Sequence, residues 1–333
     1  MKQNIEENRM YFIDNLRGIA ILAVVIGHSI IIYSSNWNIY STNVKAEYFD
    51  CLKSVINVFQ MPLFFAISGF LFAGSMYKRN VKKVIEQKIK RLILPFLAGS
   101  FLWLLPIRLL IKYPGYKNIN LFTIAISKIL LGGDCGHMWY LPTLFLCFLC
   151  MSVLVNFGKK ITNQDSVLLC CLCVAIIMYI LSFVVNFSWI GFLFQYFIWF
   201  VLGILLKRFY SVIKRIDDIK RRIILVGIFI LTYLYIVMKV EYNIFLKNIW
   251  SILFVIAMFI TVSQKKIKFL TFLSENSLGI YLLHSPMVYI TFTYFNNINP
   301  WLMFIINFFG FGTLSLVITM SLKRNKAKIL IGE

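Results

Sequence analysis

Histidine is scarce in this chain, and its three copies fall where an imidazole could move protons. His28 lies in FIDNLRGIAILAVVIGHS, His137 in GHMWYL and His284 in SENSLGIYLLHSP. Imidazole has the ordinary pKa nearest neutrality, so it can take a proton from a hydroxyl and return it to a leaving thiolate. His28 follows Arg17 by eleven residues, just over three helical turns, so both side chains leave one face of a helix. At 1.5 Å per residue they stand about 16 Å apart along the axis. Asp14, three residues before Arg17, is within pairing reach of it. The stripe Asp14, Arg17 and His28 sets an acid and a cation near one end of the helix and an imidazole deeper in. Each residue also has a plainer reading, Arg17 as a snorkelling interfacial cation and His28 as a helix-to-helix hydrogen bond. Together they favour a cavity, because ionisable groups within a membrane are costly unless they face protein interior or water.

Other residues extend this constellation. Lys88 and Arg91 stand just before Pro95 and could bind an anion, or could simply mark the cytoplasmic side of the membrane. Trp139 and Tyr140 follow His137 and could stack on a sugar, although an interfacial anchor is the commoner use of such aromatics. Glu275 and Asn276 read as the cap of the helix carrying His284, with a donor contact as the alternative. Ser68 in AISGFL reads as a close-packing small residue, not a nucleophile. Of the seven cysteines, Cys147 and Cys150 have a CxxC spacing, and Cys170, Cys171 and Cys173 cluster. Both groups lie in apolar runs without His or carboxylate, so they read as small helix residues, and no metal site is expected. Cys51 and Cys135 fall near external loops, where they could pair.

The elements that must position these residues are membrane helices. Of the 333 residues, 60% are hydrophobic, 17% aromatic and 14% charged, against about a quarter charged in soluble domains. Apolar runs near the roughly 20 residues needed to cross a bilayer recur along the chain. Those runs predict an all-α membrane protein of about ten transmembrane helices. They fall at about 13–33, 54–77, 92–111, 138–156, 167–185, 189–206, 223–238, 248–263, 277–293 and 301–322, within one integral membrane domain spanning 1–333. Continuous runs of this length do not suit barrel strands. Lys and Arg concentrate in alternate connections, which sets both termini in the cytoplasm. The same distribution explains the net charge of +21 without nucleic acid. The first apolar run carries Asp14 and Arg17 and lacks a small-residue cleavage site, so it reads as a retained helix. The longest outer connection, Lys112 to His137, contains a run, Leu121–Leu131, too short to span. No internal repeat of the kind found in many transporters is evident.

At these residues the chain resembles the membrane acyltransferase-3 family, over nearly its whole length. Arg17 and His28 match that family's Arg–ten residues–His pattern. MPLFFAISGFLF, Met61 to Phe72, looks like its second-span signature. Lys88 and Arg91 are similar to its basic pair, usually Arg-x-x-Arg. HMWYLPTLF and GIYLLHSPM match its later Trp-Leu and Tyr-Leu-His segments. Lys88 departs from the usual first arginine, keeping the charge but losing bidentate recognition of phosphate. The periplasmic esterase-like domain fused to some members is expected to be absent.

The resemblance implies a cell-membrane O-acyltransferase with acyl-CoA, most often acetyl-CoA, as co-substrate and no tightly bound cofactor. Its implied acceptor is a hydroxyl of a cell-envelope sugar, polysaccharide or lipid-linked glycan. Membrane lipids and polysaccharide synthesis proteins are the other expected partners. Arg17, Lys88 and Arg91 would hold the CoA phosphates. His28 would act as base or acyl carrier, Asp14 would orient Arg17, and His284 would handle protons or position the acceptor. His137 and Trp139 would contact the acceptor. Two rivals remain, a transporter or flippase of lipid-linked sugar or polysaccharide, and a non-catalytic partner in a synthesis complex.

Overall fold

The computed structural model describes residues 9–78, 80–159, 163–185, 187–238 and 243–333. Ten long helices follow in order. They are α1 (Tyr11–Ser29), α2 (Glu47–Ala73), α3 (Val81–Leu110), α4 (Gly136–Gly158), α5 (Gln164–Leu181), α6 (Ser188–Arg208), α7 (Asp218–Val237), α8 (Ile244–Thr261), α9 (Lys268–Tyr294) and α10 (Pro300–Arg324). Several start at side-chain caps that satisfy first-turn N–H groups. Asn163, Asp217, Asn243 and Asn299 cap α5, α7, α8 and α10.

Eight of these helices, not the expected ten, are long and apolar enough to cross a membrane among the described residues. The chain is a multi-pass membrane protein. The two exceptions are α7 and α9. Lys220, Arg221 and Arg222 crowd the first turns of α7. Serine, glutamate, asparagine and histidine interrupt α9, and that polarity is what brings the site together.

Burial separates the helices into a centre and a shell. In α1 and α2, 72% of the apolar window is buried, against 22% in α5, α8 and α10. The shell exposes large apolar side chains such as Ile177, Phe229, Phe245 and Val317, as expected of surfaces that face lipid. At the centre α9 lies along α1, and α2 lies along α6. Close approach depends on small residues. A Cβ on Gly69 would run into the Phe200 carbonyl, and one on Gly203 into that of Ala66.

Prolines shape the two helices that matter most. An interior proline lacks an N–H and leaves the carbonyl four residues earlier without its helical donor. In α2, Pro62 frees the Val58 carbonyl, which accepts from Ser251 Oγ at 2.5 Å. In α9, Pro286 frees the Leu282 carbonyl. The helix α3 begins well before the expected 92, so Lys88 and Arg91 lie within it. Wide π-type turns at Ile89–Ile93 and Ser100–Leu104 precede its prolines. The connection from α3 to α4 carries the short helix Leu121–Leu130, with Leu121 and Phe122 exposed, and Trp189 Nε1 ties it down through the Leu130 carbonyl at 2.9 Å.

Candidate active site

All three histidines meet. His28 occupies the last turn of α1, because that helix stops at Ser29 instead of running to 33. His284 projects from α9, and His137 lies in the tight first turn of α4. The His28 and His284 rings stack, with centroids 5.0 Å apart and planes at 19°. His137 stands 5.9 Å from His28 and 5.7 Å from His284. Among the described residues no group of three or more His, Cys, Asp or Glu side chains could hold a metal ion.

Hydrogen bonding assigns a proton to each neutral ring. His284 Nδ1 lies 2.7 Å from the Ile280 carbonyl. A carbonyl only accepts, so Nδ1 carries the hydrogen and Nε2 the lone pair. His28 Nδ1 lies 2.7 Å from that Nε2 and therefore donates to it. The relay leaves the lone pair of His28 on Nε2, the position a general base needs. His137 Nε2 lies 3.3 Å from the Leu282 carbonyl, the one Pro286 frees, and donates there. Its Nδ1 is buried with no partner among the described residues. The Tyr281 hydroxyl donates to the His137 carbonyl and locks α9 to the start of α4.

Two buried cations stand around this cluster, and sequence reasoning assigned neither to the site. Lys53 in α2 is 4% exposed and makes no hydrogen bond or ion pair with a described residue. Its Nζ lies 3.0 Å from where a Cβ on Gly27 would stand, so that glycine leaves room for an ammonium beside His28. Arg108 is 0% exposed. Its Nη1 donates to the Tyr116 hydroxyl (2.9 Å), the Asp134 carbonyl (3.0 Å) and Asp134 Oδ1 (3.1 Å). The guanidinium lies over the Tyr113 ring at 4.0 Å. Arg108 thus ties the connection just before His137 to α3. Gly136, with φ of +56°, makes the turn between them in a backbone region that favours glycine.

Cavities flank the imidazoles. One of about 260 Å³ is lined by His28, His137, Gln60, Trp139, Tyr196 and Tyr281. Another of about 200 Å³ holds His28, His137, Trp139, Arg108, Asp134 and Trp37 on its walls. Trp139 therefore lines the site instead of standing apart from it as a surface anchor, with one ring face stacked on Phe192 at 4.7 Å.

At the other end of α1 lies a larger cavity, about 690 Å³, bordered by Arg17, Lys88, Arg91, Ser68, Tyr140 and Tyr281. Tyr281 lines this cavity and the 260 Å³ cavity beside His28. Lys88 sits over the Phe148 ring at 3.6 Å. The three expected donor cations thus share one space, about 16 Å along α1 from the imidazoles.

Two expectations at this end need correction. Asp14 does not pair with Arg17. It accepts from Arg9 Nε at 2.6 Å and from Ser274 Oγ at 3.1 Å. Arg9 Nη2 also reaches Glu275 at 2.8 Å, which ties the start of α1 to α9. Arg17 is left without an ion pair among the described residues. Glu275 and Asn276 are not a helix cap, because α9 begins at Lys268. Asn276 Nδ2 instead donates to the Phe272 carbonyl at 2.8 Å. Among the described residues no disulfide forms, so Cys51 and Cys135 are not joined. Burial pushes the Cys135 thiol up to about 12, so it is neutral.

Comparison with known proteins decides the family. The family profile described as "Acyltransferase domain" matches residues 10–324. The chain belongs to the acyltransferase-3 family. The matched span takes in the whole constellation from Asp14 through His284. Among similar proteins is "Glucans biosynthesis protein C" of Shigella dysenteriae, 24% identical over 171 residues, which are 48% of this chain and 43% of that protein. Its Escherichia coli (strain SMS-3-5) counterpart matches to the same extent. "Nodulation protein NolL" of Mesorhizobium japonicum is 27% identical over 153 residues, 46% of this chain and 38% of that protein. The alignments therefore span less than half the length of these relatives. No solved structure matches the chain.

Proposed function

We propose that this acyltransferase-3 member moves an acyl group, acetyl in the simplest case, from cytoplasmic acyl-CoA to a hydroxyl of a cell-envelope glycan. The observation that carries the reading is the Ile280–His284–His28 relay. It leaves a free imidazole lone pair on His28, which lines the 260 Å³ cavity that shares Tyr281 with a cationic chamber.

Arg17, Lys88 and Arg91 bind the CoA phosphates with charge-assisted hydrogen bonds. Glu275, on the wall of that chamber, is held by Arg9, which also pairs with Asp14. The pantetheine arm extends past Tyr281 and brings the thioester to His28. The acceptor hydroxyl oxygen attacks the thioester carbonyl while His28 Nε2 takes its proton. Collapse of the tetrahedral intermediate breaks the carbon–sulfur bond, and the imidazolium returns the proton to the CoA thiolate. His284 keeps the proton of His28 on Nδ1 and the ring in place. His137 and Trp139 shape the acceptor side.

The test is acyl transfer by purified protein in nanodiscs, with labelled acetyl-CoA and a glucan acceptor. His28→Ala should abolish labelling of the glycan while CoA binding persists. Labelling at the wild-type rate would overturn the catalytic assignment. Glycan movement across vesicles without any acylation would instead favour the flippase.

A further inference from the structure

Next to the 200 Å³ cavity at His28, across Trp37, lies a groove that the mechanism above does not use. The connection between α1 and α2 folds around a space of about 440 Å³. Trp37 lines both this groove and the 200 Å³ cavity that contains His28. Its indole stacks on Tyr40 at 5.9 Å and 27°, and meets Phe292 edge-on at 5.7 Å. Elsewhere the groove presents hydroxyls, an amide and carboxylates, from Ser34, Ser35, Asn38, Thr42, Glu47 and Asp50. Lys45 is the one cation lining it among the described residues.

The walls are held in place. The Asn43 N–H donates to Asn297 Oδ1 and Asn296 Nδ2 to the Ser41 carbonyl, each at 3.0 Å. The Tyr40 hydroxyl is bonded to Thr293 Oγ1 at 3.0 Å, and the Ser35 N–H to Asp50 Oδ1 at 3.1 Å. The groove is therefore a shaped surface fastened to α2 and to the end of α9.

We propose that this groove binds the sugar units next to the reacting one in a neutral glycan, with Trp37 as the platform between them. The proposal rests on the acyl-transfer reading and deepens it by naming the acceptor as an oligosaccharide. Three observations carry it. Each of the two cavities at His28, about 200 and 260 Å³, is below the roughly 300–1,000 Å³ of ordinary ligand sites, whereas the groove falls within that range. The reacting ring thus fits at His28, and the rest of a chain must sit elsewhere. Indole and phenol rings beside hydroxyl and carboxylate groups match a pyranose, which has apolar ring faces and a polar rim. Two carboxylates against one lysine disfavour a polyanionic glycan.

The experiment uses the full chain in nanodiscs and three acceptors: glucose, linear glucan oligosaccharides of increasing length, and anionic hyaluronan oligosaccharides. Binding is measured without acetyl-CoA, and KM and kcat with it. The groove predicts tighter binding and lower KM as the glucan lengthens, by about tenfold over glucose, with hyaluronan poor throughout. Asn38→Trp, which fills the groove at an exposed position away from His28, should erase the length effect and leave turnover of glucose unchanged. Glu47→Lys should improve hyaluronan binding. A KM independent of length, or a length effect that survives Asn38→Trp, would overturn the proposal, as would a wild-type preference for hyaluronan. Length-dependent binding without acyl transfer would sustain the groove and overturn the catalytic reading. Transfer without length dependence would do the reverse.

Discussion

The two ends of α1 are built on opposite principles. Around Arg17 the chamber is wide and lined by cations from separate helices, with Arg91 exposed. Around His28 the space is tight, and the rings contact one another through assigned protons. A phosphate-rich ligand needs charge more than fixed geometry, because its many oxygens tolerate several arrangements. Proton transfer needs geometry, with a base within hydrogen-bond reach of the group it deprotonates. The proposed division of labour, binding at one end and chemistry at the other, rests on that difference.

The contrast gives predictions of graded size. The largest effect belongs to His28→Ala, which should lower kcat by about 10²- to 10⁴-fold and leave acetyl-CoA affinity intact, measured by calorimetry. Next is Arg17→Ala, which removes charge-assisted hydrogen bonds of about 1.5–3 kcal/mol. Donor affinity should fall about ten- to a hundredfold with the acceptor KM unchanged. Changes in kcat for Arg17→Ala or in donor affinity for His28→Ala would erase the division between the ends. His284→Gln keeps an acceptor for His28 Nδ1 and should retain more activity than His284→Ala. Equal losses would show that the relay does not orient His28. The smallest effect is expected from Asp14→Asn, which weakens the pair with Arg9, the residue that also holds Glu275 of the chamber wall. It should raise the donor KM by about threefold or less, as for a part-exposed ion pair, and a loss as large as that of Arg17→Ala would mean that Asp14 acts on the donor directly.

Much of this site could be read in the sequence, for identifiable reasons. Arg17 and His28 share a helical stripe, and a periodicity of that kind survives without any tertiary information. The chemistry of imidazole singled out His137 and His284, and the bundle brought them to His28. What sequence could not supply was long-range. Spacing pairs Asp14 with its near neighbour Arg17, but Arg9 folds back from just before α1, and Ser274 and Glu275 of α9 complete that cluster. Lys53 falls just before the span expected at 54–77, whereas α2 starts at Glu47, where Ala46 offers no side-chain cap to mark it. Arg108 finds its partner Asp134 across the whole connection to α4, a pairing that no local spacing marks. Polarity misled the count of spans. The helix α9 was expected to start at 277, yet it runs from Lys268 because its polar residues face α1 and the site instead of lipid.

The central claim is that donor and acceptor meet from opposite ends of one helix. The direct test is reconstitution in sealed vesicles of known orientation, with labelled acetyl-CoA only on the Lys88–Arg91 side and a glucan only on the Trp37 side. The account predicts acylated glucan on the Trp37 side, at a rate that His28→Ala abolishes. Acylation only when both substrates share one side would contradict it.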